Sequence, residues 1–282
     1  MIALRSARVE DREAILAISS QIWEGEDYIP LVLDDWLAEG GLVVAELDGV
    51  VAGLGKLTVL APGEVWLEGL RVDPAHRGKG VAKAIARHQL EAALALKPRS
   101  IGFATAEVNA ESLHIAGKQG FREIARFTYV EGPVRDEPAP LGVTPVHDVE
   151  PAWTFIQASP AYRAARGLLA WGWRFPALTP ERLADLVVQR AVFACGDPMR
   201  GLLVLQPDPY APASFAAIGF LDGDEEAQNA LLSFAHAWAR EKGMEYLAAM
   251  VPDERRVETF ARHGLAPLPY FRYVLVLAYP LP

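Results

Sequence analysis

The sequence predicts an α/β protein with a mixed sheet, arranged as two similar domains in tandem. Three observations lead to this prediction. Strand and helix patterns alternate along the chain, a strand–glycine turn–helix unit lies in the first half, and the order of elements in that half recurs in the second. At 282 residues, the chain is long for one compact domain and suits two of roughly 140 residues each.

The elements of the first half follow from hydrophobic periodicity and from Gly and Pro punctuation. In chain order they are a strand at 2–7, helices at 10–20 and 31–39, a hairpin at 42–60, a strand at 65–72, a helix at 80–96, a strand at 100–106, a helix at 109–119 and a strand at 121–131. We therefore place the first domain at residues 1–135.

The second half, residues 136–282, repeats this order after a linker rich in Pro and Gly. Its predicted elements are a hairpin at 191–206, a strand at 214–221, a helix at 225–240, a strand at 244–250, a helix at 252–263 and a strand at 270–278. The helix bounded by Asn109 and Gly120 has the same spacing as the one bounded by Asp253 and Gly264. The pattern indicates a diverged internal duplication.

Composition and charge limit the classes of function. Hydrophobic residues make up 51% of the chain and charged residues 22%, as in a globular protein. The net charge of −9 argues against nucleic acid as a partner, although a local basic turn can still bind an anion. The sequence shows neither a membrane-length apolar run nor a secretory signal, so we expect a cytoplasmic protein without a membrane partner, as a monomer or a homodimer. One cysteine, Cys195, excludes an internal disulfide, and no His/Cys/Asp spacing indicates a metal.

The turn at 77–82 is the strongest functional signal. The preceding strand breaks at Asp73–Pro74, and Arg77-Gly78-Lys79-Gly80 leads directly into helix formers. Glycines permit close backbone approach, and a helix N-terminus with two nearby cations attracts a phosphate. At the matching place, the second half has Asp222-Gly223-Asp224-Glu225-Glu226, whose four acids would repel one. The second domain is therefore predicted to have lost this site.

These residues resemble the GNAT superfamily of acyl-CoA N-acyltransferases. Its pyrophosphate motif, Q/R-x-x-G-x-G/A, is matched by Arg77, Gly80 and Ala82, and its second motif by Asn109 and Gly120–Phe121. The resemblance implies two GNAT-like domains, the second degenerate, with acetyl-CoA as co-substrate and no metal. It also implies the residues that contact the cofactor, namely Leu70, Arg71, Val72, Arg77, Gly78, Lys79, Gly80, Val81, Ala82, Asn109 and Ser112.

Three further segments relate the chain to one group within this superfamily. Asp27-Tyr28-Ile29-Pro30, Trp36-Leu37 and Glu68-Gly69-Leu70-Arg71-Val72 are similar to the histidine N-acetyltransferase-like group of vertebrates. This similarity implies a small amine acceptor, such as an amino acid, that attacks the acetyl group directly in a ternary complex.

Glu68 is the candidate general base, because it is an acid on a strand face otherwise built for burial, and an amine must lose a proton before it attacks. The alternative is a structural salt bridge to Arg71 or Lys56. Tyr28 is a second catalytic candidate and, with Trp23 and Asp27, a candidate acceptor contact. The alternative for Tyr28 is packing against Trp23 and Trp36.

Two questions stay open at the level of sequence. Ala116 occupies the position of the usual GNAT tyrosine acid, so either Tyr28, Tyr129 or His114 supplies the proton or the thiolate leaves unassisted. Aromatic residues at 153, 162, 171 and 173 lie near three arginines, which predicts either a wall of the acceptor pocket or packing between domains. Two alternative functions are a protein or peptide N-acetyltransferase and a non-catalytic, acyl-CoA-binding regulatory module.

Overall fold

The computed structural model describes residues 1–208, 210–211 and 214–281. They form two compact units that interleave along the chain. The first comprises Met1–Ala104, Asn109–Arg122 and the residues from Leu277, and the second comprises Thr105–Val108 and Glu123–Val276. The domain boundary at 135/136 was inferred from the repeated order of elements in the sequence, and it stays a prediction. None of the helices described combines the length and the hydropathy needed to cross a bilayer.

The first unit is built on five strands and four helices. The strands are β1 (Ile2–Ser6), β2 (Leu42–Leu47), β3 (Val50–Ala61), β4 (Glu64–Val72) and β5 (Ser100–Ala106), and they are neighbours in this order. The pairs from β1 to β4 are antiparallel, whereas β4 and β5 run parallel. The helices are α1 (Arg12–Ser19), α2 (Ile29–Glu39), α3 (Val81–Ala95) and α4 (Ala110–Gln119).

Helices α3 and α2 cover opposite faces of this sheet. Val81 and Ile85 of α3 pack against Ala45 and Ala52 of the β2–β3 hairpin. On the other face Trp36 of α2 is fully buried, with the Lys56 ammonium of β3 5.9 Å from its ring centroid. The aromatic and acidic stretch between α1 and α2 therefore lies on the α2 face.

A β-bulge in β4 determines which side chains share that face. Glu68 is paired with Lys56 and Arg71 with Leu54, so β4 advances three residues where β3 advances two. Leu54 and Lys56 are two residues apart and point the same way. Glu68 and Arg71, three apart, would point opposite ways in a regular strand. The bulge at Gly69–Leu70 brings both side chains onto the α2 face.

The second unit is built on the remaining strands. They are β6 (Arg122–Pro133), β7 (Val143–Pro145), β8 (Val192–Cys195), β9 (Gly201–Pro207), β10 (Phe215–Gly223), β11 (Tyr246–Val251), β12 (Ala266–Pro267) and β13 (Tyr273–Ala278). Their order is β13-β6-β11-β10-β9-β8-β7, with β12 paired to β6. The helices are α5 (Val149–Ala158), α6 (Pro160–Ala164), α7 (Pro180–Val188), α8 (Glu225–Glu241) and α9 (Val257–Arg262). One core cluster forms beneath α8 and another beneath α5 to α7.

The fold confirms the predicted mixed α/β architecture, with several corrections to the elements. Helix α2 begins at Ile29 rather than at 31, because Pro30 suits the first helical turn, where its missing N–H is not needed. The helices predicted at 10–20 and 252–263 each begin as a short 3₁₀ turn. Strand β13 begins at Tyr273 rather than at 270. Helices α5, α6 and α7 were not predicted.

Candidate active site

The parallel strands β4 and β5 pair for only three residues and then separate. Glu64, Val65 and Trp66 are paired with Ser100, Ile101 and Gly102, after which β4 runs on to Val72 and β5 to Ala106. A gap between neighbouring strands lets an extended ligand pair with a strand backbone as an added strand would. Leu70 and Val72, two of the cofactor contacts that the resemblance implies, follow the last pair on β4.

The turn between β4 and α3 presents backbone donors at the end of the same strand. Asp73 accepts the N–H of Ala75 at 2.9 Å and caps a 3₁₀ turn at Pro74–His76. Gly78 and Gly80 follow with φ of 74° and 85°, in the left-handed region that favours glycine.

Five consecutive N–H groups, from Gly78 to Ala82, have no acceptor within the part of the chain that the structure describes, since the first helical bond of α3 runs from Ala84 to Gly80. Arg77 and Lys79 are exposed beside them, with the Lys79 ammonium 3.1 Å from the Ala75 carbonyl. Unpaired donors at a helix N-terminus with adjacent cations suit a pyrophosphate. The residues present therefore fit the group that the sequence predicts.

Glu68 lies two residues beyond the last β4–β5 pair and is partly buried. Its Oε1 accepts a hydrogen bond from Thr58 Oγ1 at 2.5 Å. The two cations that the sequence offered as salt-bridge partners have other carboxylates: Arg71 binds Asp27 and Lys56 binds Glu39. Thr58 is a contact that sequence reasoning missed, because only the β3–β4 register brings it next to Glu68.

Asp27 has a structural role. Its carboxylate is fully buried, receives two hydrogen bonds from Arg71 at 2.9 and 3.1 Å, and accepts a third from Ser19 at 3.0 Å. The Asp27 oxygens therefore bind within the protein, and the predicted contact of Asp27 with an acceptor stays a prediction. The paired guanidinium also donates to the Leu70 carbonyl at 3.1 Å. This pair fixes the α1–α2 connection to the bulge in β4.

Trp23 and Tyr28, which are predicted to contact the acceptor amine, both lie over the Arg71 guanidinium. The guanidinium carbon lies 4.4 Å from the ring centroid of Trp23 and 5.2 Å from that of Tyr28. Trp23 is 56% exposed and adopts a left-handed φ of 46°, whereas Tyr28 packs edge-on to Trp36 at 6.1 Å. Burial raises the pKa of Tyr28 to about 12, and the charges of Glu68 and Asp27 act in the same direction against the opposing Arg71. Tyr28 thus combines the predicted packing with an electrostatic interaction with Glu68.

The second motif contributes a helix cap. Asn109 accepts the N–H of Ser112 at 3.2 Å at the start of α4, and both residues lie in the first unit. Ala116 is buried in α4, so no tyrosine occupies the usual position of the general acid. Tyr129 lies in the second unit, where it donates to Glu131 at 2.7 Å, and burial raises its pKa. His114 is exposed on α4.

The structure also brings together a group that no sequence spacing indicated. Ligand atoms of Glu137, His236 and His263 lie within 4.8 Å of one another in the second unit. His236 accepts the Arg135 N–H at Nδ1 and donates from Nε2 to the His263 carbonyl, so both of its nitrogens are used within the protein. Nδ1 of His263 lies 3.4 Å from the Glu137 carboxylate. The arrangement is that of a histidine–carboxylate network.

Parallel strands that separate beside a turn with backbone N–H donors are the arrangement expected from the resemblance to acyl-CoA N-acyltransferases, and comparison with known proteins bears on that expectation. Residues 10–121 match the model of the acetyltransferase (GNAT) family. The match covers less than half of the 282-residue chain.

Named relatives are similar over a short stretch. Over 84 residues the chain is 42% identical to the histidine N-acetyltransferase of Scomber australasicus, and over 78 residues it is 44% identical to the probable N-acetyltransferase 16 of Homo sapiens. The first match covers 29% of this chain and 25% of the relative, and the second covers 27% and 21%. The chain therefore matches about a quarter of the length of these curated relatives.

Solved structures extend the likeness to the whole fold. A GCN5-related N-acetyltransferase from Sphaerobacter thermophilus has a TM-score of 0.66 at 16% identity, covering 98% of this chain and 95% of that one. A tandem GNAT protein from the clavulanic acid biosynthesis pathway has a TM-score of 0.59 at 15% identity, covering 100% of both chains. At these identities the similarity establishes the fold, which confirms the predicted tandem GNAT architecture.

Proposed function

We propose that this protein is an N-acetyltransferase that moves an acetyl group from acetyl-CoA to the amine of a small molecule, with free amino acids as the first candidates. The observation that carries the proposal is Glu68, which is partly buried beside the gap between β4 and β5, in the middle of the strand that leads to the glycine turn. The names of the matched relatives suggest an amino-acid acceptor.

The candidate site residues of the first unit then have the following roles. Acetyl-CoA, when bound, supplies the activated acetyl group. The N–H groups from Gly78 to Ala82 bind its pyrophosphate. Glu68 attracts the ammonium of the acceptor and accepts one of its protons, directly or through water, so that a neutral nitrogen attacks. Tyr28, like any tyrosine, is protonated near neutral pH, and its hydroxyl is the candidate donor to the departing thiolate.

The test measures release of CoA thiol by the full chain against the twenty amino acids, simple alkylamines and peptides with free N-termini. Glu68→Gln should lower kcat/KM by about 10²–10⁴-fold, because the amide cannot accept the proton. Glu64→Gln, the same change four residues earlier on the strand, should leave it near the wild-type value. Turnover that is unaffected by Glu68→Gln would contradict the assigned base.

Ala116 favours a second candidate function, because a chain without the usual acid could bind acyl-CoA without transferring the acyl group. Tight acetyl-CoA binding with no turnover on any amine would support this regulatory module. Turnover on peptides alone would instead support a protein or peptide N-acetyltransferase. Either result would exclude the small-amine proposal.

A further inference from the structure

The second unit repeats the strand geometry of the proposed active site. β10 and β11 run parallel and pair from Phe215–Tyr246 to Ile218–Ala249, and β10 then bulges at Gly219 against β9. The residue before the bulge glycine is Glu68 in the first unit and Ile218 in the second. The second unit therefore has the architecture of a GNAT cleft without the candidate base.

A buried network occupies the cofactor end of this second cleft. Asp222 is 3% exposed, forms an ion pair with Arg256 at 2.6 Å, and accepts hydrogen bonds from the Ser159 hydroxyl and from the Ala161 N–H at 3.1 Å. A carboxylate held here repels phosphate, in agreement with the acidic turn that follows. Acyl-CoA binding is therefore disfavoured at this end.

One cavity lies beside this network, with Leu221 and Arg256 in its lining, and a smaller one lies at the other end, where an acceptor amine would lie in a catalytic unit. It lies against the last paired residues of β10 and β11, and its lining includes Tyr129, Asp208, Ile218, Ala249 and Met250. Its volume of about 10 Å³ is close to what one water-sized group needs. An ammonium head is of that size, so only the head of a ligand would enter.

Asp208 supplies a charge to this cavity. Its Oδ1 accepts the N–H of Tyr210 at 2.8 Å, and no cation pairs with the carboxylate among the residues that the structure describes. Burial raises the pKa of Asp208, which shows that the ionised form is poorly compensated. Buried charges in proteins are usually paired, so a carboxylate facing a cavity is a candidate partner for a ligand cation.

Aromatic rings beside Asp208 favour an organic cation over a metal ion. Tyr129 stacks with Trp173 at 6.4 Å and packs against Phe271 at 5.5 Å, and all three rings remain partly exposed. The Tyr129 hydroxyl donates to Glu131, which places a second carboxylate next to the rings. Aromatic faces with carboxylates bind ammonium groups that carry short apolar chains.

We propose that the second unit holds a non-catalytic site for a primary alkylammonium ligand, with its head group against Asp208 in the β10–β11 cavity and its alkyl chain against the Tyr129–Trp173–Phe271 cluster. The second unit then acts as an amine-binding module. This site uses no residue of the candidate active site, so the two proposals fail independently.

The experiment titrates the full chain with propylammonium chloride, with 1-propanol as the neutral isostere, and follows tryptophan fluorescence and ligand-observed NMR. We expect saturable binding of propylammonium and none of propanol. Asp208→Asn should weaken binding at least about tenfold, because a charge-assisted contact is lost. Asp185→Asn, the same charge change on the exposed face of α7, should bind within about twofold of wild type.

A measurement on the wild type keeps the proposal falsifiable if Asp208→Asn does not fold. In methyl NMR, propylammonium should shift the signals of Ile218, Ala249 and Met250, whereas propanol should not. Absence of saturable binding, equal binding by Asp208→Asn, or shifts confined to other methyl groups would overturn the proposal. Trp173→Phe identifies the fluorescence signal, since it replaces the indole of the cluster by a phenyl ring.

Discussion

Gly69 is the residue on which the geometry of the candidate site depends most directly. It has a left-handed φ of 66°, and a Cβ added there would lie 2.5 Å from Cζ3 of Trp36. The glycine therefore permits both the bulge and the close approach of α2, and through them the shared face of Glu68 and Arg71.

We predict that Gly69→Ala lowers the free energy of unfolding by about 2–5 kcal/mol, the sum of backbone strain and overpacking against Trp36. Urea unfolding measures the change. Gly117→Ala provides the contrast, because nothing lies within 4 Å of its added Cβ inside α4, and it should stabilise by about 0.4–1 kcal/mol. Equal stabilities for the two variants would contradict the role of the bulge.

Burial of His236 leads us to predict that the free energy of unfolding depends on pH. It is fully buried, and burial lowers its pKa below the ordinary value of 6.5. The unfolded chain therefore binds this proton more readily, so the contribution of His236 to stability is complete above about pH 6.5 and is lost as the pH falls towards the folded pKa.

The measurement compares the free energy of unfolding between pH 7.5 and 5. His236→Gln, which can keep both hydrogen bonds, should flatten the decline, whereas His114→Gln on the exposed face of α4 should not change it. A decline of the same slope in His236→Gln would assign the effect to other groups.

At the scale of the element, the connection between α1 and α2 is held by a buried ion pair. Removing one partner of such a pair leaves the other charge buried and uncompensated. Asp27→Asn should therefore destabilise the protein by about 3–5 kcal/mol, and Asp27→Asn with Arg71→Met should cost less than the sum of the two single changes.

A double-mutant cycle in urea measures this coupling. Asp34→Asn is the matched control, because it removes the carboxylate of the exposed Arg12–Asp34 pair between the same two helices, and it should stay close to wild type. Strict additivity of the Asp27 and Arg71 changes would show that the pair does not act as a unit.

The elements that the sequence predicted well carry their own local signals. The glycine turn before α3, the Asp48–Gly49 hairpin and the Asn109 cap each combine a backbone requirement with the residue that meets it. The Asp27–Arg71 pair and the Thr58–Glu68 contact have no such signal, because each depends on the β3–β4 register. Helices α5 to α7 were missed, although the first half has two predicted helices at the corresponding place before its hairpin.

At the scale of the whole molecule, the two units should differ in cofactor binding. We predict one acetyl-CoA site per chain by isothermal titration calorimetry, because the glycine turn of the first unit carries exposed cations, whereas the matching turn of the second carries four acids. Arg77→Glu should weaken binding at least about tenfold, whereas Arg87→Glu on the exposed face of α3 should have little effect. A stoichiometry of two would contradict the assignment of the second unit.

The sequence predicted two copies of one order of elements, and the fold agrees. It did not predict that the compact units interleave, with the residues from Leu277 belonging to the first unit and Glu123–Val276 to the second. Strand patterns in a sequence carry no information about which strand becomes a neighbour. Tyr279 illustrates this, since its N–H bonds to the Ile101 carbonyl at 2.9 Å across most of the chain length.

The network around Asp222 makes the loss of a second cofactor site hard to reverse. Replacing Asp222 alone would leave the Arg256 cation and the Ser159 hydroxyl buried without their partner, at a cost of about 3–5 kcal/mol. Restoring a basic turn would then require further changes at 224–226. Replacement of Asp222 is thus deleterious until the residues that hold its carboxylate have changed as well. This dependence between substitutions would preserve the difference in acetyl-CoA binding between the two units.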